Sequence, residues 1–156
     1  MFDVIISGGT VVDGSGALGY PADVGIKGER IEAIGDLSKA NSVRFIDASG
    51  LVVSPGFIDT HTHSEGALLV HPQHANGLRQ GITTLILGLD GMSYAPLSPE
   101  NYRTYRHYLG GLLGDPREDL DMSSVAAFRA NYHKKVAINT AYLVPQGTIR
   151  LEVLGF

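Results

Sequence analysis

The chain has 156 residues, 44% of them hydrophobic and 18% charged, with a formal net charge of −4; this balance fits a globular chain with a core to bury and excludes a disordered one. Its basic residues are scattered, so neither nucleic acid nor a membrane surface is expected as a partner. Cysteine is absent, which rules out disulfides and thiolate metal sites and leaves His, Asp, Glu and other nitrogen or oxygen donors for any metal.

MFDVIISGGT opens the chain with an apolar stretch too short for a signal peptide, and no apolar run approaches membrane-spanning length, so a cytoplasmic protein is expected. Short alternating segments follow at Phe2 to Ser7, Ala22 to Lys27, Arg30 to Ile34 and Val43 to Asp47, separated by glycine-containing turns. These predict a small β layer of hairpins. Near residue 50 the texture changes. Val52 to Asp59 is apolar and β-branched and predicts a buried strand, Pro72 to Gln80 a helix stopped by Gly81, and Thr83 to Leu87 a second buried strand. Ser98-Pro99-Glu100 starts a helix running to Leu113, Ser123 or Ser124 caps another carrying Val125, Phe128 and Tyr132 on one face, and Val136 to Val144 returns to strand. Alternation of strand and helix predicts an α/β architecture with parallel strands.

GFIDTHTHSEG, residues 56 to 66, places two histidines one residue apart at the end of an expected strand. Residues i and i+2 of a strand share a face, so His61 and His63 are expected side by side, with Thr60 and Thr62 turned away. Such a pair is either half of a divalent metal site or a hydrogen-bonded surface pair beside a turn. His71 and His74 read as helix-start or surface residues, His107 and His133 as residues of solvated helix faces, and Tyr102, Tyr105 and Tyr108 as packing residues. No glycine cluster sits in the strand-to-helix setting of a phosphate loop, so no nucleotide is expected.

IISGGTVVDGSG, ADVGIKGERIEAIGD and FIDASGLVVSPGFIDTHTH resemble, in that order, the opening of the amidohydrolase superfamily. GITTLILGLDGMSYAP and AINTAYLVPQGTIR most resemble its N-acyl-D-amino-acid deacylase (D-aminoacylase) branch. The resemblance implies a β-sandwich portion over residues 1–52, followed over 53–156 by the first part, about three strands, of a (β/α)8 barrel. It implies a zinc site with one or two ions, His61 and His63 as ligands, and a zinc-activated water that hydrolyses the amide of a small N-acyl amino acid. Where D-aminoacylases carry a Cys ligand after the second barrel strand, this chain has Asp90, either a carboxylate replacing the thiolate or a turn residue before Gly91. Where relatives often carry His, it has Gln146, either a hydrogen-bonding group at the rim of the site or part of a structural loop.

A complete (β/α)8 barrel takes about 250 residues. The expectation is therefore an N-terminal piece whose catalytic Asp lies beyond residue 156, inactive alone, and either truncated or completed by a second chain. Two alternatives stand beside the deacylase: a hydantoinase- or dihydroorotase-like hydrolase of cyclic amides, and a non-catalytic assembly module derived from an amidohydrolase.

Overall fold

A computed structural model describes residues 1–156. They fall into two compact units, Met1–Pro55 and Gly56–Phe156.

The first unit holds β1 (Phe2–Val11), β2 (Tyr20–Lys27), β3 (Arg30–Gly35), β4 (Ser42–Asp47) and β5 (Val52–Val53). They form a single mixed sheet in the order β3-β2-β1-β4, with β5 also on β1. The hairpin expectation holds for β1, β2 and β3, which pair antiparallel; β4 and β5 instead lie parallel to β1. Parallel pairing requires a crossover, and Asp36–Asn41 supplies it. Gly25 makes that connection possible, because a Cβ there would meet the Phe2 ring at 2.7 Å and Leu37 at 2.9 Å. Ile5, Val11, Val24 and Ala48 are the buried apolar residues of this unit.

Val52 to Asp59 is not one strand. The chain breaks at Ser54-Pro55-Gly56, leaving β5 in the first sheet and β6 (Phe57–Asp59) in a second. Proline cannot donate to a ladder, so it ends β5. Nor is β6 buried: Phe57 and Ile58 are 61% and 59% exposed, as befits an edge strand.

The second unit continues with α1 (Glu65–Val70), the one-turn α2 (Ala75–Leu78), β7 (Ile82–Leu87), α3 (Pro99–Leu113), α4 (Val125–Tyr132), β8 (Asn139–Tyr142) and α5 (Gln146–Leu154). Strands β6, β7 and β8 are parallel and adjacent in chain order. The predicted helix from Pro72 is replaced by α1 and α2, because Pro72 follows the end of α1 rather than opening a helix. Ser98 and Ser124 cap α3 and α4 by accepting the Asn101 and Ala127 N–H groups. Leu85 and Leu87 of β7 pack with Leu68, Tyr102, Leu109, Leu113, Phe128 and Leu151 in the core of this unit. Tyr102 and Tyr105 belong to that core, whereas Tyr108, 72% exposed, does not: three residues beyond Tyr105, it has rotated off the buried stripe.

Candidate metal centre

β6 ends at Asp59, so the two histidines lie in the irregular segment before α1 rather than on the strand. The Asp59 carboxylate accepts the His61 N–H at 3.1 Å, a local bond that turns the chain as it leaves the sheet. Thr62 does face elsewhere, its hydroxyl 2.7 Å from that of Ser64. The neighbouring strand β7 ends at Leu87; Gly88 follows, and then a 3-10 turn over Leu89–Gly91 that places Asp90 in the left-handed region at φ 56°. Asp tolerates that conformation better than most residues. Gly88 itself has φ 82°, and a Cβ there would lie 1.9 Å from the Leu143 carbonyl oxygen.

These two segments bring His61, His63 and Asp90 together. His61 Nε2 and His63 Nε2 lie 3.0 and 3.1 Å from the same oxygen, Asp90 Oδ2. With the carboxylate charged, each imidazole donates its Nε2–H to it. The rings meet edge to face, 5.8 Å apart. The hydrogen bond from His61, the largest effect, holds the Asp90 carboxyl below the usual carboxylate range; desolvation opposes it, and the bond from His63 adds a smaller lowering. One ligand atom from each of the three residues lies within 4.8 Å of the others, an N, N, O donor set that fits a divalent cation. The side chains differ in access: His61 is 64% exposed, Asp90 49% and His63 18%.

The other sequence candidates fall outside this cluster. Gln146 is exposed and opens α5, so it is not a loop residue. Its segment nevertheless borders the site, since a Cβ on Gly91 would lie 4.0 Å from the Gln146 nitrogen and 3.3 Å from that of Gly147. His71 ends α1 and His74 precedes α2, while His107 and His133 are exposed.

Sequence reasoning missed Glu65. It is fully buried at the start of α1, and its Oε1 accepts the Gly88 N–H at 2.7 Å. Burial raises its pKa; the Gly88 bond and the nearby His63 pull the other way. Tyr132 from α4 donates to its backbone carbonyl at 2.6 Å. The pair Ser64-Glu65, a polar residue followed by an acid before an apolar run, is the sequence signal that marks the start of α1.

No protein-family model matches the chain. Over 153 residues it is 40% identical to a D-aminoacylase of Alcaligenes xylosoxydans xylosoxydans, an alignment covering 98% of this chain and 31% of that protein. Among solved structures, a D-aminoacylase studied for its binuclear metal centre superposes with a TM-score of 0.85 at 39% identity, covering 100% of this chain and 32% of the other. An N-acyl-D-glutamate deacylase from Bordetella bronchiseptica, solved with zinc and a phosphonate that mimics the tetrahedral intermediate, gives 0.82 at 33% identity, covering 98% and 31%. The chain thus spans about a third of the length of these proteins.

Proposed function

We propose, for a chain that belongs to the D-aminoacylase branch of the amidohydrolases and matches its N-terminal portion, that His61, His63 and Asp90 are ligands of a catalytic metal site that hydrolyses the amide of N-acyl-D-amino acids. The observation that carries this reading is the convergence of three ligand atoms, from two separate segments, within 4.8 Å. Zinc is the proposed ion, supported by the zinc in the deacylase of similar fold. When bound, it supplies Lewis acidity to the amide carbonyl and acidifies water beside it.

What this chain's own residues contribute is binding and orientation. His61 and His63 present imidazole nitrogens, and Asp90 brings the negative charge that a thiolate would otherwise provide, as a harder donor. Gln146, whose backbone nitrogen lies near Gly91, is the residue proposed to hydrogen-bond substrate. In this reading residues 1–52 form the β-sandwich portion and residues 53–156 open a (β/α)8 barrel whose first three strands are β6, β7 and β8. The remaining strands and the catalytic aspartate lie outside residues 1–156, on the same polypeptide or on a second chain.

The test is zinc uptake by the purified protein, measured by calorimetry and by metal analysis after dialysis. One zinc or two are expected per chain, with His61→Ala, His63→Ala and Asp90→Ala each reducing affinity at least tenfold. Hydrolysis by the completed, zinc-loaded enzyme, carrying the strands beyond residue 156, is then compared on N-acetyl-D-amino acids, their L-enantiomers and a hydantoin. Zinc uptake that all three substitutions leave unchanged would refute the ligand assignment, and turnover of the hydantoin alone would move the substrate to cyclic amides.

A further inference from the structure

Glu65 holds a fully buried carboxyl group, and burying one is costly unless its oxygens are used. Only half of it is accounted for: Oε1 takes the Gly88 N–H, while Oε2 is buried with no partner. Fixing the end of β7 would need just one acceptor, which an amide supplies without a charge. His63, two residues earlier, has the matching deficit, since its Nε2 faces Asp90 and its Nδ1 is buried with no partner. Buried polar atoms without partners are rare, and each one calls for a reason.

We infer that Glu65 is a positioning residue of the metal centre: when His63 gives Nε2 to a cation, the Glu65 Oε2 accepts the Nδ1–H that this leaves, while its Oε1 fixes Gly88, just after β7 and two residues before Asp90. The inference rests on the reading of His63 and Asp90 as ligands. An imidazole that gives Nε2 to a cation carries its proton on Nδ1. In this protein that proton is buried and needs an acceptor, and a carboxylate behind a ligating histidine fixes both its tautomer and its orientation. One side chain thereby governs both halves of the site: the ring of His63 on one segment and the turn that carries Asp90 on the other.

The test uses the full 156-residue chain with zinc as the probe, comparing wild type, Glu65→Gln and Glu65→Asp. Calorimetry gives the affinity, thermal unfolding reports the metal-free fold, and long-range 1H–15N spectra of the imidazoles report the tautomer. In zinc-loaded wild type, His63 is expected to be protonated on Nδ1, with a slowly exchanging proton. Glu65→Gln keeps an oxygen for Gly88 but turns an amide donor toward Nδ1. It is expected to unfold near the wild-type temperature yet bind zinc about 10- to 100-fold more weakly and, with no acceptor for it, to lose the slowly exchanging Nδ1 proton signal. Glu65→Asp, which retains the carboxylate, is expected to keep that signal. Zinc affinity in a folded Glu65→Gln variant within twofold of wild type would overturn the inference, as would zinc-loaded wild type protonated on Nε2, a result that needs no variant to fold. Wild type that takes up no zinc would instead remove the ligand assignment, and the inference with it.

Discussion

Asp90 and Asp23 are both held below the ordinary carboxylate range by hydrogen bonds, but they serve different ends. Asp90 receives its bonds from two imidazoles, groups that a cation would claim. Asp23 receives them from Ser7 Oγ at 2.6 Å, Gly8 N–H at 2.9 Å and Leu37 N–H at 3.0 Å, tying the β1 bulge and the crossover to β2. These bonds, the Ser7 hydroxyl first, lower the Asp23 pKa from its usual 3.8. A depressed folded-state pKa contributes stability that is present above the unfolded value and is lost as pH falls through the folded one. Asp23→Ala is therefore expected to cost about 1–3 kcal/mol near neutral pH and to flatten the loss of stability below pH 3.8. Urea unfolding of both proteins across that range measures it; identical acid limbs would contradict the assignment.

At the level of elements, Gly88 joins the strands to the site. Its left-handed φ and the nearness of the Leu143 carbonyl leave no room for a side chain, and its N–H is the group that Glu65 holds. Gly88→Ala is expected to cost upward of about 2 kcal/mol, from left-handed strain together with the clash. A change in unfolding free energy below about 0.5 kcal/mol, the range of an innocuous surface substitution, would show that the turn adapts. This junction also marks how far the sequence could be read. His61 and His63 were legible from their spacing after an apolar run, even though the strand stops before them, because the segment beyond Asp59 still brings both rings to one carboxylate. Glu65 was not legible, since its importance comes from burial against Gly88, 23 residues away, a relation that no local pattern carries. The same limit explains β4: alternation identifies a strand, but its parallel pairing with β1 depends on Leu37 fitting over Gly25.

Across the whole molecule, large apolar side chains remain in water. Val43, Phe45 and Val52 in the first unit are 72%, 65% and 66% exposed, and Phe57, Val153 and Leu154 in the second 61%, 74% and 64%. Strands β6 and β8 each leave one edge unpaired, and exposed edges and apolar patches favour association. The folded chain is expected to bind an anilinonaphthalene sulfonate dye and to elute earlier from a sizing column as its concentration rises. A dye-silent chain whose elution is independent of concentration would contradict this. The order β3-β2-β1-β4, with β5 also on β1, has one more effect. Chain ends are ordinarily the parts a domain can spare, yet here the first eleven residues are the hub on which β2, β4 and β5 all pair. Trimming from the N-terminus would dismantle the sheet from its middle, so deletions there are far less tolerable than their position in the sequence suggests.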